Sequence, residues 1–236
     1  LITLRTALVN SVNVVAVKLL VDHVTIPKAI EFASRLGFEI DSRSVGASLA
    51  LGTEEVTPLQ MAGAYGAYAN NGIYNEPTVI LRVEGPDGTV LEEHKPRPRQ
   101  AMKPTTAYLV TDMMKSATQE GTGKNANLGR PTAGKTGTTD DGKDIWFTGY
   151  TPDLVGIVWL GYDNPTPMKE AFGGGFPAKI FYKVMSQVHK NIPPRDFQRP
   201  PGLVTATVDR KSGLLPGPNT PQEHLVTDLF VEGTVP

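Results

Sequence analysis

Apolar residues recur at helical spacing over much of the first 120 positions of the chain. From about Thr3 to His23 the spacing is interrupted by the polar run Asn10-Ser11-Val12-Asn13, which predicts two helical pieces joined by a turn. A cleaner helix follows, with Thr25 as its predicted cap and Gly37 at its end.

Two further helices and a hairpin are predicted before residue 120. Thr57 is placed to cap a helix that the run Asn70-Asn71-Gly72 ends. The segments 79–83 and 89–93 flank a Gly-Pro-Asp-Gly turn, which is typical of a β-hairpin. The spacing predicts another helix over about 104–119.

From Arg130 onward the pattern becomes strand-like. Three short strand-like segments, 132–139, 145–150 and 154–160, are joined by short loops, which predicts an antiparallel meander. A helix is expected over about 178–190, and a strand over 203–208 in a tail rich in proline and glycine. Helices first, a sheet later and a helix at the end indicate an α+β fold and not alternating α/β units.

Composition narrows the class of protein. The 236 residues are 39% apolar and 20% charged, as in globular proteins, and the net charge of -1 gives no footprint for nucleic acid. The absence of cysteine excludes disulfides, thiolate nucleophiles and Cys-ligated zinc, and the four scattered histidines lack metal-ligand spacing. We therefore expect no metal and no organic cofactor. The apolar runs are too short for a bilayer span of roughly 20 residues.

A phosphate-binding loop is the first alternative for the lysine at 135. Gly129 to Thr136 match the pattern G-x-x-x-x-G-K-[ST], in which backbone amides and the lysine cradle nucleotide phosphates. Such a loop follows a buried strand and opens a helix. Here the preceding segment 121–128 is polar and the following segment 137–142 is too rich in glycine for a helix, which disfavours a nucleotide site.

The same lysine begins Lys135-Thr136-Gly137-Thr138, the Lys-Thr-Gly element of serine acyltransferases of the penicillin-binding and β-lactamase class. A strand edge offers backbone groups to an extended peptide, and Gly137 leaves that approach open. Ser11-Val12-Asn13 is the Ser-x-Asn element that precedes it in this class. Each triplet alone is weak evidence for this class. A Lys-Thr-Gly string is more often a turn with an exposed lysine, and a Ser-x-Asn string is more often a turn or a helix cap.

Long strings of the chain resemble class A penicillin-binding proteins, the bifunctional enzymes that build peptidoglycan. The strings are 48–52 with 56–61, 64–72, 135–163, 173–178, 209–214 and 230–236. The resemblance implies the transpeptidase fold of penicillin-binding proteins and serine β-lactamases, an antiparallel sheet flanked by helices with its N-terminal part missing. It also implies a transpeptidase domain over 1–199 and a C-terminal extension over 200–236. Asp144 and Trp146 are expected to pack at a strand end.

The resemblance implies a D,D-transpeptidase that forms an acyl-serine intermediate with a stem peptide ending in D-Ala-D-Ala. Ser11 would pass a proton to the leaving group, Asn13 would bind the acyl-side amide and Lys135 would supply positive potential. Thr136 and Thr138 would bind the carboxylate beside Gly137, and the Thr138 amide would complete an oxyanion site.

The nucleophile of this class is the serine of a Ser-x-x-Lys element. None of the eight serines in the chain is followed by lysine at the third position, and Thr25-Ile26-Pro27-Lys28 is better explained as a helix start. We therefore expect the nucleophile upstream of this chain, and we expect the chain alone to be inactive. The resemblance to the bifunctional class A enzymes implies that a glycosyltransferase domain and a membrane anchor lie further upstream.

The expected partners are peptidoglycan stem peptides, β-lactam antibiotics and the upstream parts of the same protein, acting outside the cytoplasmic membrane. No glutamate has asparagine four positions on, which disfavours the deacylation route of class A β-lactamases. A β-lactam sensor domain on the same fold is the alternative, although the resemblance of the tail to the synthases disfavours it.

Overall fold

Helices and short strands occupy the first half of the chain, and the longer strands lie after residue 130. The computed structural model describes residues 2–43 and 45–236. The α-helices are α1 (Leu4–Val9), α2 (Asn13–Lys18), α3 (Ile26–Arg35), α4 (Pro58–Ala69), α5 (Pro104–Gln119) and α6 (Phe176–Val188). The strands are β1 (Ile73–Tyr74), β2 (Arg82–Glu84), β3 (Val90–Glu93), β4 (Arg99–Gln100), β5 (Ala133–Thr138), β6 (Asp144–Tyr150), β7 (Val155–Gly161), β8 (Leu203–Asp209) and β9 (Leu225–Val231).

The central sheet is antiparallel in the order β5-β6-β7, as the meander pattern predicted. In its register Lys135 lies opposite Thr148, and Gly137 lies opposite Trp146. Successive residues of a strand point to opposite faces of the sheet. Lys135 and Gly137 therefore lie on one face, and Thr136 and Thr138 lie on the other.

Helices cover both faces of this sheet. On one face Phe147 is buried against Phe181 of α6, with ring centroids 4.8 Å apart. On the other face Tyr150 is buried among residues of α4 and α5, and its hydroxyl is hydrogen-bonded to Thr111 at 2.8 Å. The fold is therefore α+β with an antiparallel sheet between helices, as predicted.

Of the two predicted helix caps, the structure shows the capping hydrogen bonds at Thr57 and shows none from the side chain of Thr25. Thr57 accepts from the Gln60 N–H, and the Gln60 side chain accepts from the Thr57 N–H, which completes a capping box at α4. The prediction for Thr25 is wrong in its chemistry, because its side chain makes no capping hydrogen bond and its φ is 79°. A π-helix over Leu19–Val24 leads into that position, so the chain enters α3 through a strained residue.

The hairpins differ from the predictions in extent. The hairpin β2-β3 is present, but β2 begins at Arg82 and not at Val79. The predicted tail strand corresponds to β8, and the sequence analysis missed its antiparallel partner β9. The tail is thus a two-stranded hairpin, and β9 contacts α5.

Candidate active site

Ser11 lies just beyond the C-terminus of α1, in a sharp turn into α2. The Val12 N–H donates to the Ala7 carbonyl at 2.9 Å and the Ser11 N–H donates to the Leu8 carbonyl at 3.1 Å. These two bonds form a Schellman motif, in which the residue after the helix adopts positive φ. Ser11 has a φ of 53° at a position that usually takes glycine, so a polar side chain is held there at the expense of backbone strain.

Lys135 reaches from β5 to Ser11. Its Nζ donates to Ser11 Oγ at 2.8 Å and to the Thr136 carbonyl oxygen at 2.9 Å. Desolvation by the surrounding protein lowers the pKa of Lys135 from its usual value of 10.5 to about 8. The fold therefore brings together two residues that are 124 positions apart and places a partly desolvated cation beside a hydroxyl.

Asn13 is the first residue of α2, two positions after Ser11, and is exposed. The turn at Ser11 therefore leaves both polar residues of the Ser-x-Asn element exposed on one short segment. A side-chain amide can both donate and accept a hydrogen bond, which suits it to a peptide group.

The hydroxyl groups of Thr136 and Thr138 have different neighbours. Thr136 Oγ1 lies 2.8 Å from Thr122 Oγ1, and Thr138 Oγ1 accepts a hydrogen bond from the Gly173 N–H at 3.0 Å. Because the Thr138 hydroxyl acts as the acceptor there, its own proton is left to donate to another group. Gly137 lies between them, where a Cβ would be 3.3 Å from Trp146 Cβ.

Thr122 and Gly173 are site residues that the sequence analysis missed. Thr122 lies in the loop after α5 and Gly173 in the loop before α6, and each contacts a threonine of β5. The Asn125 side chain donates to the Gly174 carbonyl at 2.7 Å and joins the two loops. The sequence marks Thr122 only by the glycines on either side of it, and it marks Gly173 by the glycine triplet 173–175, which belongs to one of the strings that carry the resemblance.

Asp144 and Trp146 pack at the end of β6, as expected. The Trp159 Nε1–H donates to Asp144 Oδ1 at 2.8 Å, and the centroids of the Trp146 and Trp159 rings are 6.0 Å apart. These contacts account for both residues through packing across the sheet.

The geometry around Lys135 is wrong for a phosphate-binding loop. Residues 133–138 form a strand, whereas that loop must open a helix at its lysine. Within residues 2–43 and 45–236 no cluster of three or more histidine or acidic side chains is placed to hold a metal ion. Over the same residues each helix is too short or too polar to span a bilayer.

The fold and this arrangement define a class of protein. Residues 1–186 match the family of the penicillin binding protein transpeptidase domain, and residues 199–236 match the penicillin-binding protein 1A, C-terminal domain. The chain therefore belongs to the penicillin-binding protein transpeptidase family.

Individual relatives are penicillin-binding proteins 1A. The chain is 38% identical over its whole length to penicillin-binding protein 1A of Clostridium botulinum (strain Langeland), of which it spans 29%. The crystal structure of penicillin-binding protein 1A from Haemophilus influenzae superimposes with a TM-score of 0.86 at 25% identity, over 100% of this chain and 40% of that one. PonA1 of Mycobacterium tuberculosis, solved in complex with penicillin V, gives 0.75 at 27% identity, over 84% of this chain and 59% of that one.

Proposed function

We propose that this chain carries part of the D,D-transpeptidase site of a peptidoglycan synthase. The observation that supports this most directly is the hydrogen bond from Lys135 Nζ to Ser11 Oγ, made between a strand and a helix end. Membership of the transpeptidase family supports the same reaction class. The match of the tail to the penicillin-binding protein 1A C-terminal domain favours a synthase over a β-lactam sensor.

The proposed reaction begins at a serine that a part of the full-length protein outside this chain supplies. Its Oγ attacks the carbonyl carbon between the two terminal D-Ala residues of a stem peptide, and the carbon–nitrogen bond breaks. Ser11 relays the serine proton to the departing amine of the terminal D-Ala. An amine of a second stem peptide then attacks the carbonyl carbon of the acyl-serine, the carbon–oxygen bond breaks, and the proton that the amine loses returns to the serine oxygen. The new amide bond is the cross-link.

The residues of β5 bind and polarise this substrate. Lys135 and the hydroxyl groups of Thr136 and Thr138 complement the terminal carboxylate, and Asn13 binds the amide on the acyl side. The Thr138 N–H donates to the oxyanion that develops on the attacked carbonyl. Gly137 lets the peptide lie close to the strand.

β-Lactam antibiotics are the second ligand class that we propose. A β-lactam presents a reactive amide carbonyl and a carboxylate, which the same strand and the same cation suit. The structural relative solved with penicillin V supports this proposal.

We further propose that the full-length protein acts at the outer side of the cytoplasmic membrane, with a glycosyltransferase domain and an anchor outside this chain.

The isolated chain is expected to remain unacylated when it is incubated with penicillin. The reason is that its sequence contains no Ser-x-x-Lys element, so the activated nucleophile is absent. Intact mass spectrometry after incubation measures this directly, with the full-length protein as the positive control. An added penicilloyl mass on the isolated chain would show that the nucleophile has been misplaced.

The pH dependence of acylation tests the role of Lys135 as a cation. Since burial lowers its pKa to about 8, the ammonium predominates below that pH and is lost above it. The second-order rate constant for acylation of the full-length protein is therefore expected to fall as pH rises through about 8, by about tenfold per pH unit at the limit. A β-lactam whose carboxylate is esterified serves as the control and should lose less rate above pH 8, because it lacks the charged group that the ammonium attracts. A profile for the free acid that stays flat well above pH 8 would contradict the role.

A further inference from the structure

A partly buried cluster of charged side chains joins the C-terminal hairpin to the helix that precedes Ser11. Arg5, in the first turn of α1, donates through Nε to Asp228 Oδ2 at 3.0 Å and through Nη2 to Asp228 Oδ1. Nη2 also donates to Asp112 Oδ2 at 2.6 Å, and Nη1 donates to Ser116 Oγ at 3.0 Å and the Asp112 carbonyl at 3.2 Å. One guanidinium thus connects α1, α5 and β9, and all its N–H donors are used.

This contact differs from an ordinary surface ion pair. The side chains of Arg5 and Asp228 are only 21% and 18% exposed, and the pairing is bidentate. Geometry of this kind holds the two elements in one relative orientation, whereas exposed single pairs do so weakly. Asp228 lies on β9, more than 200 positions after Arg5 in the chain.

The helix that Arg5 holds cannot maintain its own position. α1 has six residues, and an isolated helix of that length is unstable in water. Its C-terminal end is held by the loop after α5, where the Thr122 N–H donates to the Val9 carbonyl at 3.3 Å. Its N-terminal end is held by Arg5. Ser11 follows Arg5 by six residues, which is about 9 Å along a helix, so a change in the tilt of α1 moves the Ser11 hydroxyl.

We propose that Asp228 is a positioning residue for the active site, because through Arg5 it fixes the orientation of α1 and so keeps the Ser11 hydroxyl against Lys135. The C-terminal hairpin is then a brace for the transpeptidase site. The expected effect on acylation rests on the proposed function. The position of Ser11 relative to Lys135 does not, because it can be measured without any enzymatic activity.

The first test measures acylation in the full-length protein. Asp228→Asn removes the charge that pairs with Arg5, and Asp228→Glu keeps it. We expect the first-order acylation step with a fluorescent penicillin to slow by about tenfold in Asp228→Asn, with little change in the initial binding constant. Asp228→Glu should recover to within about twofold of the unmodified protein.

A control of similar stability separates positioning from general destabilisation. Val208 is buried in the same hairpin and lies opposite Val226, whereas Asp228 lies opposite Ala206, so Val208→Ala weakens the hairpin by leaving a cavity. Measurements are made well below the melting temperature of each variant. The brace is refuted if Asp228→Asn acylates like the unmodified protein, or if Val208→Ala slows acylation equally at matched stability.

The second test needs no enzymatic activity and uses the chain itself. Lysines are labelled biosynthetically with ¹³C and ¹⁵N, which leaves the hydrogen bonds of Lys135 intact, and the resonance of Lys135 is assigned with a Lys135→Arg variant. Lys135 is expected to titrate near pH 8 in the unmodified chain and closer to 10.5 in Asp228→Asn, because a displaced α1 admits water to the ammonium. An unchanged titration would overturn the brace. If the full-length protein fails to acylate at all, the proposed function fails and this measurement still decides the inference.

Discussion

Lys135→Met is expected to slow acylation of the full-length protein by a labelled penicillin by about 10²- to 10⁴-fold. The methionine side chain fills similar space but cannot donate to the Ser11 hydroxyl or attract a carboxylate. The ammonium makes the 2.8 Å hydrogen bond to Ser11 and is the charged group that β5 contributes to the site. Stopped-flow or gel-based rates with fluorescent penicillin measure the change.

The same substitution is expected to stabilise the fold near neutral pH. The folded state lowers the pKa of Lys135 to about 8, so the unfolded chain binds more protons between about pH 8 and 10.5. The stability of the unmodified chain therefore rises with pH across that window, and the unfavourable contribution of the buried charge is fully present below it. Lys135→Met removes that contribution and the associated pH dependence.

Opposite effects on stability and on acylation distinguish a functional lysine from a structural one. Lys183 is an exposed residue of α6, so Lys183→Met is the matched control and should leave both quantities nearly unchanged. If Lys135→Met acylates at the unmodified rate, or unfolds at a clearly lower temperature, the role assigned to Lys135 is wrong.

Gly173→Ala is expected to reduce both stability and acylation. A Cβ at Gly173 would lie 2.6 Å from the Gly137 carbonyl oxygen and would also overlap the Trp146 carbonyl oxygen. Both clashes involve backbone atoms, which cannot rotate away, so the loop and β5 must separate by roughly 1 Å. Overpacking of this kind typically destabilises a protein by about 1–3 kcal/mol.

The effect on acylation follows from the place of the clash. Gly173 abuts Gly137 and donates to Thr138, so a displaced loop moves the strand that binds substrate. A misplacement of about 1 Å can slow a reaction by about 10²-fold. Gly217→Ala is the matched control, because a Cβ there meets no atom within 4 Å. Acylation in Gly173→Ala equal to that in Gly217→Ala would show that the loop does not position β5.

The sequence predicted elements whose signals are local. The helix over 104–119 and the meander of three strands follow from the spacing of apolar residues, because that spacing repeats within each element. The Lys-Thr-Gly and Ser-x-Asn elements are also local signals, because each is a short contiguous string of residues. The strand β9 was missed because its pairing with β8 is a contact across a long loop, which no local period records.

The sequence by itself determined the class of fold, the chemistry available at Ser11 and Lys135, and the family resemblance that links them. Only the tertiary structure decided which residues support them. The contacts of Thr122 with Thr136, of Gly173 with Thr138 and of Arg5 with Asp228 join positions 14, 35 and 223 residues apart. Such contacts depend on how separate helices and strands pack, and that packing leaves no periodic trace along the chain.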